Sequence, residues 1–334
     1  MPLTDWTVAL LHPTSPRVRE SVATSVEGRR QVGYIVTTGR SPTSQAVEWV
    51  SSAASLRFKH PANALASAAL SIRNRNVVGR VNYESTVLAF RWRTLNTGDN
   101  LASTTSEARA HDNGSTGGIL NADAHLWNPI TGPVVLRVEM DGELHGMSVV
   151  NGMHQDRQVG TVWTTDGSRA YLWRGSASSA VLLHPAGAEV SEAWGVFDNR
   201  QVGRVNLRAT LWRDSANDRI DLHPQGADYS TAYGAHGNHQ VGDAVFAQGR
   251  QAGIWTDTAQ SWQSLHALLP SRFSQSQASG VWTHENLISV VGWGFNSQAN
   301  RREALLWRGK WVSAPVPPPP LIPPPLPVGR RRKP

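Results

Sequence analysis

The chain has 334 residues with 14 tryptophans, 29 glycines, 20 prolines and no cysteine, and its formal net charge is +7. Without cysteine there is no disulfide framework and no thiolate metal site, so stability must come from apolar packing. Arg330, Arg331, Arg332 and Lys333 hold four of the positive charges, leaving 28 basic against 25 acidic residues in 1–329; so nearly balanced a body argues against a nucleic-acid partner.

The N-terminal stretch MPLTDWTVALLHP has an acid where an export signal needs a cation, and too short an apolar run to cross a bilayer. Neither an export signal nor a membrane span is expected. Within it, DWTVALLHP (5–13) matches the pattern of VLLHP (181–185), so an element that closes a repeat stands before the first repeat opens. From there the chain runs through seven units that open SVATSV (21–26), SAALSI (67–72), SEARAH (106–111), SVVNGM (148–153), SEAWGV (191–196), STAYGA (230–235) and SQASGV (276–281). Six units place a glycine twelve residues after the opening serine, at Gly33, Gly79, Gly118, Gly160, Gly203 and Gly242; the seventh, Gly292, comes four residues later. Each glycine is followed by a tryptophan: Trp49, Trp92, Trp127, Trp173, Trp212, Trp255 and Trp307. A single repeat column thus takes half the tryptophans, which marks it as structural.

Each unit reads as four short strands. The small, alternating opening is followed by a turn rich in Asn, Gly and Arg, as a hairpin requires. The short QVG strand comes next, then an apolar strand ending in tryptophan, then a strand ending in leucine and often His-Pro. Four strands in each of seven units is the pattern of an all-β, seven-bladed β-propeller, here spanning residues 1–313; DWTVALLHP is expected to complete the last blade, with Lys310 to Ser313 competing for that place through a tight Arg308-Gly309 turn. An open solenoid is the rival architecture. The innermost strands crowd at a propeller axis, so Ala23, Ala69, Ala108, Ala193, Ala232 and Ala278 are expected to let backbones approach. The QVG glycine is expected to relieve the same crowding or to supply a positive φ, and the tryptophan to fill the space between sheets. The tail, residues 314–334, cannot join a sheet, because ten of the last twenty residues are proline; it is expected to be disordered and extended.

The motifs SxAxGV, QVG, (R/Q)AxLW and the DLHP-like close resemble the bacterial extracellular HAF repeats over residues 5–313. That resemblance implies repeated β units and usually an exported setting, assigns no catalytic residue, and leaves the localisation of this chain open.

Chemistry is sparse. His12, His60, His184 and His223 precede prolines at equivalent places. Repeat positions on the outer rim lie too far apart for one metal ion, so they are read as strand-end caps, and no metal or cofactor is expected. Arg30, Arg157 and Arg200 in the first turn, and Arg174 and Arg213 just after the tryptophan, fall on one face of a four-stranded blade. That face is the candidate binding surface, for an acidic glycan or an acidic patch of a protein. Glu107 and Glu192 are the only acids in their repeat column, and Asp141, Glu143 and Asp166 read as loop residues, so no acid pair for glycoside hydrolysis is evident. DNGSTGG (112–118) aligns with DNRQVG as a hairpin rather than a Ca²⁺ loop. The expected function is a non-enzymatic, monomeric binding scaffold. The alternatives are a propeller hydrolase or lyase acting on carbohydrate, distinguished by acids converging at the axis, and a purely structural cell-surface repeat.

Overall fold

Seven hairpins with two-residue loops set the plan, and the first loop residue has positive φ in every one: Gly28, Asn74, Asn113, Gln155, Asp198, Gly237 and Glu285. In DNGSTGG the turn is Asn113-Gly114, both left-handed, as a tight hairpin demands. The computed structural model describes residues 3–39, 42–140, 143, 144 and 146–311. The proline-rich tail and Asp141 lie outside the described residues.

Each hairpin extends into a four-stranded antiparallel sheet, and there are seven such sheets. Their inner strands are Val18–Glu27, Ala66–Arg73, Ser106–Asp112, Ser148–His154, Ser191–Phe197, Tyr229–His236 and Phe273–His284, which begin blades 1 to 7. Each inner strand touches the next, and that of blade 7 touches that of blade 1, so the ring closes as a propeller. A small extra hairpin, Glu139–Met140 with Glu143–Leu144, sits between blades 3 and 4. Among the described residues no helix is long and apolar enough to cross a membrane.

Closure uses both ends of the described chain. Strand Leu3–Leu10 pairs with Arg301–Trp311 and supplies the outermost strand of blade 7. Gly309 makes this possible, since a Cβ there would lie 2.8 Å from the ring of Trp6. The four extra residues of unit seven lengthen its hairpin, which turns at Glu285-Asn286, while Gly292 still faces Ala278.

The repeated residues now have reasons. The seven tryptophans lie between neighbouring sheets, with Trp49, Trp173, Trp212, Trp255 and Trp307 fully buried. None of the seven repeat glycines has positive φ; their role is steric. Every inner strand carries a bulge just after the opening Ala (Val150 in blade 4), and the glycine sits opposite it. A Cβ on Gly203 would lie 1.9 Å from the carbonyl oxygen of Glu192, and the other six glycines are as tight. The buried alanines face these glycines, and the closest backbone approach between blades comes two residues later. There Gly152 abuts Gly195, Gly195 abuts Gly234, and Gly234 abuts Gly280.

The opening serine is a hinge pin between blades. Its Oγ accepts the backbone N–H of the third strand in the preceding blade, as in Ala170 to Ser191 and Ala209 to Ser230, and blade 7 to blade 1 follows suit through Ala304 and Ser21. At five of the seven junctions the same hydroxyl donates to a histidine Nδ1 at 2.8 Å, namely His12, His60, His184, His223 and His266. His60, His184 and His223 then donate from Nε2 to the carbonyls of Ala64, Ala188 and Ala227. These histidines are therefore caps, as the His-Pro motif suggests. Burial, reinforced by Arg301, lowers His12 to about 4, which keeps it neutral and able to accept.

Candidate functional site

The bulge that repeats in every inner strand leaves one residue per blade unpaired, and these residues converge on the axis: Thr24, Leu70, Arg109, Asn151, Trp194, Tyr233 and Ser279. They form the waist of an axial channel. On the side where the inner strands begin, the channel widens to about 280 Å³, with Glu107 and Gln277 added to the lining. On the side of the hairpin turns it holds about 170 Å³ and is walled by Arg73, His111, His154, Phe197 and His236.

The two ends differ in chemistry. At the wider mouth Trp194 and Tyr233 stand edge to face, with ring centroids 5.7 Å apart. Beside them Glu107 accepts from Arg80 at 2.5 Å and from Arg109 at 2.6 Å, and Arg109 donates to Asn151 at 2.8 Å. Asn151 in turn donates to the carbonyl of Ala193, so one network ties blades 2 to 5. Burial works to raise the Glu107 carboxyl, but Arg109 and Arg80 together hold it below the ordinary carboxylate range. Glu192 accepts from Arg204 through two contacts of 2.9 and 3.0 Å. Asp243, fully buried, is lifted by that burial to about 6 although Arg250 binds it. Burial and this neighbouring carboxylate push the phenol of Tyr233 up as well.

The turn-side mouth is laced between blades. Glu27 accepts the N–H groups of Asn74 and Arg75, Asp112 that of Gln155, and His154 that of Asp198, so blades 1, 3 and 4 cap the turns of blades 2, 4 and 5. Arg73 lies 3.4 Å from Asp112 and 6.0 Å from the ring centre of Phe197. Burial lowers His236 to about 3 and His111 to about 4, so both are neutral.

The arginines expected to form a basic binding face are largely engaged. Arg157 and Arg174 of blade 4 both bind Asp214 of blade 5, at 3.1 and 2.9 Å. Arg200 of blade 5 grips Asp257 of blade 6 at 3.0 Å, and Arg30 binds Glu48 in its own blade at 2.6 Å. Asp214 and Asp257 are held for this by the buried glutamines of QVG: Gln201 and Gln240 accept their backbone N–H groups and donate to their carboxylates. Among the described residues Arg213 makes no ion pair. No group of three or more potential metal ligands occurs among the described residues.

No protein-family model matches the chain, and no curated protein does. Solved structures do match. A puromycin hydrolase aligns at 9% identity and a TM-score of 0.54, over 88% of this chain and 56% of that one. An acylaminoacyl peptidase from Pyrococcus horikoshii aligns at 8% identity and a TM-score of 0.54, over 89% of this chain and 52% of that one. The shared feature is the fold. The chain spans about half the length of these two proteins.

The axial residues escaped the sequence reading because their column, filled by Thr, Leu, Arg, Asn, Trp, Tyr and Ser, does not repeat. The signal was present in negative form: between the uniform Ala and the small residue that follows, the third letter after serine varies from Thr to Trp.

Proposed function

We propose that the protein is a non-enzymatic propeller scaffold that binds a glycan at the wider axial mouth. The observation that carries this is the contrast within one strand: alanine precedes the bulge in six of the seven blades and a small residue, Ser, Ala or Gly, follows it in all seven, while the bulge residue between them diversifies into Arg109, Asn151, Trp194 and Tyr233 where it faces the channel. Two aromatic rings with an arginine, an amide and hydroxyls around a concave mouth suit a sugar, whose ring has an apolar face and a rim of hydroxyls. Arg109 favours an acidic sugar. The carboxylates Glu107, Glu192 and Asp243 are each tied to arginine, which speaks for binding rather than glycoside cleavage by a free acid pair. In this reading the chain acts as a HAF-type repeat in an extracellular setting. Of the five candidate arginines Arg213 is the one left to meet an anion from solvent, and Arg157, Arg174 and Arg200 hold neighbouring blades together.

The test is calorimetric titration with uronate-containing, sulfated and neutral oligosaccharides at low and physiological salt. Binding of an acidic oligosaccharide, weakened at least tenfold in Trp194→Ala, supports the proposal. New reducing ends or unsaturated sugars in the mixture would make the protein an enzyme, and absence of binding to every class would remove the axial reading. Changing Arg157, Arg200 and Arg213 together to Ser separates the two faces: loss of binding in that variant alone would restore the turn face as the site.

A further inference from the structure

The histidine latch is missing at two of the seven blade junctions. After blade 2 its place is taken by Ala102, and after blade 3 by Arg137; Ser148 keeps the N–H bond from Ala124, and Ser106 accepts the N–H of Ala89 and turns its own hydroxyl to the carbonyl of Thr104. At both junctions a cavity opens, of about 480 Å³ between blades 2 and 3 and about 440 Å³ between blades 3 and 4. The loss of the latch and the opening of the slot go together.

The larger slot also carries an uncompensated polar group. His125, on the third strand of blade 3, lines it, is only 3% exposed, and has no hydrogen-bond partner for either ring nitrogen. The equivalent positions of the flanking blades hold Phe90 and Tyr171, rings that pack without needing two partners. An imidazole here leaves a donor and an acceptor unmatched, a cost that a protein serving only its own packing would avoid. Burial lowers its pKa, so the neutral ring offers one of each. Trp127, Leu101, Leu120, Pro129 and Pro133 supply the apolar part of the wall, and Ser103, Thr104, Thr116 and Asn128 add polar groups to it. At the rim Arg91 and Arg93 share one carboxylate, Asp99, at 3.3 and 2.7 Å, which leaves one positive charge unbalanced.

We propose that the slot between blades 2 and 3 is a second ligand site, for a small planar aromatic carboxylate. The ring lies against Trp127 and the prolines, the carboxylate meets the Arg91–Arg93 pair, and a polar atom of the ring reaches His125. A volume of about 480 Å³ falls in the range of small-molecule pockets. The slot after blade 3 is not included, because its ring position carries Tyr171 and its Arg137 is paired with Asp123.

The probes are indole-3-carboxylate and quinoline-3-carboxylate, with uncharged indole as the comparison. They are titrated into full-length protein by calorimetry and by NMR of ¹³C-labelled histidine rings. The expected result is binding of a carboxylate that shifts the His125 resonance, at least tenfold weaker in His125→Phe and in Arg93→Ser, and weaker for indole. His125→Phe adopts the residue of blade 2 and should melt no lower than the parent, which separates lost binding from lost folding. Ala102→His, which rebuilds the latch to Ser106, should also weaken binding, while Trp194→Ala at the axis should leave it unchanged. The proposal is overturned if neither carboxylate shifts His125 at millimolar concentration, or if His125→Phe binds as tightly as the parent.

Discussion

Replacing Ser191 by Ala removes one oxygen and two hydrogen bonds. The Oγ accepts the Ala170 N–H at 2.9 Å and donates to His184 Nδ1 at 2.8 Å, and Ser191 and Ala170 are both fully buried. The stranded Ala170 N–H should cost about 1–3 kcal/mol, and the half-buried imidazole, which can recruit water, about 0.5–1 more. The expected loss is therefore about 1.5–4 kcal/mol. With an unfolding entropy of about 2.1 cal/mol/K per residue over roughly 300 folded residues, the melting temperature should fall about 2–6 °C. Differential scanning calorimetry measures this, with the exposed Ser178→Ala as a control that should stay within about 0.5 kcal/mol. His184→Ala alone and combined with Ser191→Ala completes a cycle, whose coupling should be about 0.5–1.5 kcal/mol. A Ser191→Ala loss below about 0.5 kcal/mol, or strict additivity in the double variant, would show that the serine is no pin and that apolar contact alone aligns the blades.

Two further outcomes follow from the same geometry. Gly203→Ala drives a methyl group to 1.9 Å from the Glu192 carbonyl, so it should destabilise more than Ser191→Ala and reduce soluble yield; a normal melting curve would refute the steric reading. His12, His111 and His239 titrate near 4 in the folded protein against 6.5 when free, and His236 near 3. Folded-state values below the unfolded value mean that the unfolded chain takes up protons first. Stability should hold above pH 6.5 and decline below it, and each contribution is lost in full once the pH has fallen through its folded value. Urea midpoints between pH 7.5 and 5 read this decline; Asp243, lifted to about 6, takes up a proton in the folded state within the same window and opposes it, so the comparison is made in Asp243→Asn, where a flat profile would mean that these rings are not held neutral.

Repetition made the architecture readable. Tryptophan and glycine recur at fixed distances from the opening serine, because each blade must fill the same wedge and accommodate the same bulge, and seven copies amplify short motifs. What stayed hidden lies between copies. The partner of Arg157 is Asp214 and that of Arg200 is Asp257, each 57 residues away in the next blade. Within one unit such an arginine looks like a solvated turn residue. Setting each turn arginine beside the residue two places after the next unit's tryptophan would have exposed the pairs, since Asp214 and Asp257 both stand there. The serine was visible as a repeated letter, but the N–H it accepts belongs to the preceding sheet. Of the site, Glu107 and the arginines drew attention as charged repeat positions, whereas Trp194, Tyr233 and His125 gave no periodic signal. A binding residue in a repeat protein is where the repeat is broken.

The strand Leu3–Leu10 emerges from the ribosome before any blade exists, yet its partner ends at Trp311. Blades 1 to 6 can each pair with what was just synthesised, while this strand and its apolar run wait until all of the other blades have been made. Joining ends separated by roughly 300 residues of unstructured chain costs about 5 kcal/mol of loop-closure entropy, against about 2 kcal/mol for the short loops inside a blade. Assembled blades lower that cost by carrying Arg301–Trp311 around the circle to meet it. The last event of folding therefore involves the earliest strand, and until then the edge of blade 7 and the strand itself are both open to pairing with another molecule.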